Sequence, residues 1–383
     1  MGRLARKKVL GALILGAAVW LGAACGGSSS PARANDRRLH AGSGETAIFA
    51  AGFYNSGVVL SDGSLVLGGH SSGFDPATGK IGRAVLLLGD SAQARLRDVT
   101  PPNDSHCVWT DFTPLSALGQ SVALGEACSP KDVRESEEDA LTRFDPITGN
   151  RTLLVPAIPG VGLGTVSWDA ATNRGLRSST DAICGDLSLI VDGKLQKVPR
   201  LIMRDGTRKW QVPSLTRHTA DSTKDPCLKL PIAGPATWAP GGNRFALLAA
   251  GARDTSDTAA IGDAPWLLAV ADLKAHTTQT LVRGFRDPPS VVWSPSGRWI
   301  AAQTYESTLI YDTRRGTCAV SARREVIGWS PDERYLYGLR GDGDEKVNRV
   351  VRIPAAHVIP HGHARQRVPG GMDFRDCERV TAP

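Results

Sequence analysis

Gly69-His70-Ser71-Ser72-Gly73 sets a serine in a G-x-S-x-G frame. That is the pattern of a nucleophile elbow, in which a sharp strand-to-helix turn presents the hydroxyl for attack on a carbonyl. The elbow needs a helix behind its serine, yet Phe74-Asp75-Pro76-Ala77-Thr78-Gly79 follows and reads as a turn, so Ser71 is expected in a loop without a catalytic role. His357, His361 and His363 form an H-x3-H-x-H cluster whose imidazoles could converge on zinc, nickel or copper. Arg365 and Arg367 crowd that cluster and the next carboxylate is Asp373, so a basic loop or final strand is the expectation. Asp342-Gly343-Asp344-Glu345 offers hard oxygen ligands, but calcium takes about six or seven of them, and an acidic hairpin turn is expected. No catalytic residue, metal or cofactor is assigned.

Cysteines carry the other chemistry. Setting Cys25 aside leaves Cys107, Cys128, Cys184, Cys227, Cys318 and Cys377, an even set that suits disulfides in an oxidising compartment. Nearest-neighbour pairing joins Cys107 to Cys128, Cys184 to Cys227 and Cys318 to Cys377, with other connectivities open. The last of these bonds would pin the C-terminal tail. The spacings lack a zinc-type C-x-x-C.

The elements that must position such groups are strands. A degenerate unit recurs as Trp238-Ala239-Pro240-Gly241-Gly242, Trp293-Ser294-Pro295-Ser296-Gly297 and Trp329-Ser330-Pro331-Asp332-Glu333, each followed by an alternating apolar run. Each reads as strand, tight turn, strand, because proline and the following small or acidic residue supply the turn dihedrals. Weaker copies surround Ser61-Asp62-Gly63 and Trp168-Asp169, with a fainter one over 112–125. Starts near 57, 112, 166, 236, 291 and 327 give units within or above the length of a four-stranded blade. The second halves of the units read as hairpins, as in Asp145-Pro146-Ile147-Thr148-Gly149 and Asp312-Thr313-Arg314-Arg315-Gly316. Long helical periodicity is missing, so the fold class is all-β, a β-propeller of six blades. Seven stays open, because 186–232 holds surplus strand-like hairpins.

The N-terminus speaks to location. Arg3, Arg6, Lys7 and Lys8 precede an apolar run over 9–24, shorter than the roughly 20 residues of a permanent span, and Cys25 follows at once. Leu21-Gly22-Ala23-Ala24-Cys25 resembles the lipobox of bacterial lipoproteins, in which the cysteine is lipid-modified and becomes the mature N-terminus. The family's leucine usually stands three residues before the cysteine, where this chain has Gly22. The organisation expected is a signal peptide over 1–24, a flexible Gly/Ser-rich tether over 25–44 and the propeller with its tail over 45–383. The formal charge of +7 falls to about +3 without the leader's four cations, which removes the main support for nucleic-acid binding.

The Trp-Ser-Pro-Asp/Ser pattern resembles the WD40-like repeat of TolB-type β-propellers, most clearly over 236–340 and more loosely over about 45–360. The resemblance implies a ring of sheets around a channel that binds a protein or small molecule at its mouth. The expected function is a membrane-attached, extracytoplasmic binding or scaffolding module without nucleic-acid partners. The alternative is a cell-envelope hydrolase or lyase whose active-site residues come from several blades.

Overall fold

Alternating apolar residues between tight turns dictate strands, and strands account for nearly all of the regular structure. The computed structural model describes residues 45–49, 51–73, 81–102, 107–130, 138–156, 164–178, 186–205, 208–212, 214, 232–250, 266–285, 290–304, 307–322, 325–341, 348–362 and 371–380. They contain no α-helix.

A short strand β1 (Thr46–Ala47) comes first. Blade one is β2 (Phe53–Val59), β3 (Leu65–His70), β4 (Ala84–Asp90) and β5 (Arg95–Asp98); blade two is β6 (Cys107–Leu118), β7 (Ser121–Pro130), β8 (Glu138–Phe144) and β9 (Arg151–Val155). Blade three is β10 (Thr165–Asp169), β11 (Arg174–Ser178), β12 (Leu187–Val191) and β13 (Lys194–Lys197). A hairpin of β14 (Ile202–Asp205) and β15 (Arg208–Gln211) follows. Blade four is β16 (Ile232–Trp238), β17 (Arg244–Ala250), β18 (Trp266–Asp272) and β19 (Thr277–Phe285); blade five is β20 (Ser290–Trp293), β21 (Trp299–Gln303), β22 (Ser307–Asp312) and β23 (Thr317–Ala322). Blade six is β24 (Glu325–Trp329), β25 (Tyr335–Gly341) and β26 (Asn348–Pro354), completed by β1, which pairs antiparallel with β26. Thus the two ends of the propeller chain share one sheet. The last strands, β27 (Met372–Asp373) and β28 (Glu378–Arg379), add in parallel to the outer edges of β19 and β23.

The turns explain why the strands stop where they do. In blades five and six the hydroxyls of Ser294 and Ser330 accept the amides of Trp299 and Tyr335, both at 3.0 Å, and so close the first hairpin. In the outer hairpins, Asp145 Oδ1 accepts from the Ile147 and Thr148 amides and Asp312 Oδ1 from the Arg314 and Arg315 amides. Gly149 and Gly316 close these two turns at φ +76° and +68°, a region that costs other residues but not glycine.

The core is distributed rather than central. Six apolar clusters lie one between each pair of successive blades, from Val58, Leu86, Phe112 and Phe144 between blades one and two to Leu65, Leu67, Ile327 and Tyr337 between blades six and one. Since the last cluster joins the sixth blade back to the first, the ring is closed and the fold is a six-bladed β-propeller. Gly42–Pro383 form one compact unit. The surplus hairpin makes no seventh blade. It stays a two-stranded sheet whose Met203 joins the cluster between blades three and four, with Thr278 Oγ1 donating to the Ile202 carbonyl. Trp168, Trp238 and Trp329 are buried between blades, and Trp293 packs partly buried against the cluster of blades four and five.

Cys318 and Cys377 are joined by a disulfide that ties β23 to the segment carrying β27 and β28. Cys107 and Cys128 lie on the paired strands β6 and β7, with Cys128 opposite Trp109, but their side chains lie outside the described residues. Cys25, Cys184 and Cys227 also lie outside them.

Candidate functional site

Each blade's first strand has only one sheet neighbour, so its other edge faces inward. Six such edges, from β2, β6, β10, β16, β20 and β24, wall a cavity of about 430 Å³ at the centre of the ring. It is a channel lined by exposed strand edges, hydroxyl side chains and tryptophans, large enough for a small ligand or a short extended segment.

Hydroxyls hold its wall in register. The Trp168 amide donates to Ser116 Oγ at 3.0 Å, and the Trp238 amide donates to Ser167 Oγ at 3.0 Å. Trp293 Nε1 donates to the Thr237 carbonyl at 3.1 Å. These bonds join equivalent positions on blades two, three, four and five, which requires those inner strands to run in the same direction. One end of the channel therefore receives the strand starts, including Ser56, Thr113, Thr165, Ser290 and Glu325. The other receives the strand ends and their tight turns. Ser116, Ser167 and Thr237 were not singled out from sequence. Laying the repeats in register on their tryptophans would have found Ser167 and Thr237, which occupy the position just before Trp168 and Trp238, but not Ser116, whose repeat has no tryptophan there.

Among the described residues, the charged ones that line the cavity are Asp169 and Glu325. Asp169 is buried and accepts hydrogen bonds from the amides of Ala171 and Thr172 and from the Thr172 hydroxyl, so it terminates β10 as well as facing the channel. At the tight-turn end, neighbouring turns hold one another. The Ser61 amide donates to the Gly119 carbonyl at 3.0 Å, Arg174 Nη2 to the Gly242 carbonyl at 3.0 Å, and Ser296 Oγ to Glu333 Oε2 at 2.9 Å.

Of the candidate groups singled out from sequence, Ser71, His357 and His361 are not among the residues that line this channel. Ser71 follows β3 in an exposed bend whose amide donates to the Arg83 carbonyl, with no helix behind it among the described residues. His357 ends a 3-10 turn over Ala355–His357, and the His361 amide donates to Glu378 Oε2 at 2.9 Å. His363 and the acidic stretch 342–345 lie outside the described residues. Among the described residues no three His, Cys, Asp or Glu side chains converge as a metal site.

No protein-family model matches the chain, and no curated protein matches it. Among solved structures it is similar to an oligogalacturonate lyase in complex with manganese, at 12% identity over 81% of this chain and 89% of that one, with a TM-score of 0.44. It is also similar to TolB from Acinetobacter baumannii, at 12% identity over 71% of this chain and 59% of that one, TM-score 0.45. A third is hydrazine synthase from Kuenenia stuttgartiensis, at 9% identity over 85% and 99%, TM-score 0.46. Likenesses this distant carry no argument about activity. The six blades stand on the strand pairing and the six inter-blade clusters.

Proposed function

We propose that the protein is an exported, lipid-anchored propeller that binds a protein or small molecule through its central channel. The observation that carries this reading is the channel itself: a preformed, concave cavity at the centre of a rigid ring, walled by strand edges and hydroxyls that can hydrogen-bond a ligand. Asp169 and Glu325 are the charged residues described in its lining, and both are acidic. Export is supported by the leader and by the buried Cys318–Cys377 disulfide, which suits an oxidising compartment. Anchoring at Cys25 would hold the ring at the outer face of a membrane on a short tether.

Two measurements test the two halves of the proposal. Cys25→Ala is expected to shift the protein from the membrane to the soluble or unprocessed fraction. An unchanged membrane fraction with an unchanged mature mass refutes the anchor. For the channel, a photo-crosslinking residue is placed at Thr113 or Glu325, at the strand-start mouth, and at Arg315 on an outer turn as a control. A partner captured from the mouth positions and not from the control is expected, and equal capture from all three removes the channel from the reading.

A further inference from the structure

The two terminal segments are seated on this ring in different ways. At the N-terminal end β1 pairs with β26 over only Thr46 and Ala47, but the next two side chains, Ile48 and Phe49, are buried in the cluster between blades six and one. Phe49 lies against β4, where a Cβ on Gly89 would come within 2.6 Å of its ring. Apolar packing therefore holds the closing strand.

The C-terminal segment 371–380 is seated more lightly. Met372 and Asp373 of β27 pair with β19, and Glu378 and Arg379 of β28 pair with β23, two residues on each blade and both in the less stable parallel sense. Among its side chains Cys377 is the buried one. Arg375, Asp376 and Arg379 are exposed, and Met372 and Phe374 pack only partly buried against the cluster of blades four and five. Glu378 Oε2 accepts the His361 and Gly362 amides at 2.9 and 3.1 Å, a surface contact to the stretch that follows blade six. The firm hold is the Cys318–Cys377 bond. Blades four and five each have four strands without this segment, and the ring closes through β1, so its departure leaves the ring shut.

We infer that residues 371–380 form a redox-released strap: a dithiol that cuts the Cys318–Cys377 bond undocks them and opens the outer edges of blades four and five. The step is thiol–disulfide exchange. One thiolate of the dithiol attacks a sulfur of the bond and forms a mixed disulfide, and its second thiol then displaces that sulfur. The dithiol leaves as its own disulfide, while Cys318 and Cys377 take up the two electrons and two protons. Both cysteines are buried, at 2% and 4% exposure, so exchange waits on fraying of the strap. Fraying starts at Val380, whose amide donates to the Val320 carbonyl at 3.0 Å, and runs inward to Cys377. With the bond cut, two-residue pairings are left to hold the strap, and the edges at Val282 and Val320 lose their cover. Reoxidation restores it.

The test uses the mature chain with dithiothreitol as the dithiol. Alkylation and peptide mass mapping follow Cys318 and Cys377, and hydrogen exchange follows the strap and its seat. Cutting the bond is expected to speed exchange at least about tenfold over 372–380, 278–285 and 317–322, while the inner strands β16 and β20 keep their protection, and oxidised glutathione should reverse the change. Cys318→Ala/Cys377→Ala should show the faster exchange from the start and no further change on adding the dithiol. A bond that stays closed while the ring is folded overturns the inference, as does a strap that keeps its protection once the bond is cut. Loss of protection in β16 and β20 together with the strap also overturns it, because the bond would then hold the ring itself. So does a response of the double variant to the dithiol, which would place the effect at other cysteines.

Discussion

Replacing Cys318 and Cys377 together by alanine removes the one covalent link between blade five and the C-terminal segment seen among the described residues. The two cysteines are separated by 59 positions, and in the chain-entropy treatment closing a loop of that length stabilises by about 4 kcal/mol. For a unit spanning Gly42–Pro383, with an unfolding entropy of about 2.1 cal/mol/K per residue, that corresponds to a Tm lower by about 6 °C. Both sulfurs are buried in the cluster of blades four and five, so the alanines also remove some packing in the same direction. Calorimetry of the double variant measures the shift while leaving every other cysteine untouched, which bulk reduction would not. Hydrogen exchange supplies a local readout, because the Val380 amide donates to the Val320 carbonyl at 3.0 Å and should lose protection before the inner strands do. A Tm within about 1 °C of wild type, together with unchanged exchange at Val380, would refute the idea that the bond holds the last strands on the ring.

Other consequences follow from the packing and the turns. Ser167→Ala leaves the Trp238 amide without its partner in the channel wall and should cost about 1–3 kcal/mol by denaturant unfolding, whereas Ser167→Thr should recover most of it. Trp329→Ala opens a cavity between blades five and six and should cost about 3–5 kcal/mol, with the far-ultraviolet spectrum of a β protein retained at low temperature. Asp332 and Asp145 have carboxyls held below their usual range, the first mainly by the Ser330 hydroxyl and the Arg334 amide, the second by the amide of Ile147 and the hydroxyl and amide of Thr148. A folded-state pKa below the unfolded one gives stability that is complete above the unfolded value of about 4 and is lost as the pH falls through the folded one. The unfolding midpoint should therefore drop on acidification below about pH 4, and less steeply in Asp145→Asn/Asp332→Asn; equal slopes would contradict this.

Local chemistry was legible in the sequence. Trp-Ser-Pro followed by a small or acidic residue specifies a hairpin wherever it occurs, because the serine hydroxyl caps the turn and the proline presets its first dihedral, as at Ser294 and Ser330. The Asp-x-x-x-Gly turns at Asp145 and Asp312 are equally self-contained. Recurrence of these signals set the blade count at six, with 186–232 ambiguous because Leu201, Met203 and Val212 alternate as blade strands do. Only the packed molecule shows those residues filling the gap between blades three and four. The three shortest strands were invisible for a different reason. At two residues each, β1, β27 and β28 have no periodicity of their own, and they form because distant edges at β26, β19 and β23 are waiting for them. The channel is likewise a property of closure: its hydroxyls at Ser116 and Ser167 acquire partners 52 and 71 positions away only when one blade is laid against the next. Turns are decided within a few residues of chain, where sequence acts directly, but edges and cavities are decided by which surfaces meet, and that depends on the whole ring.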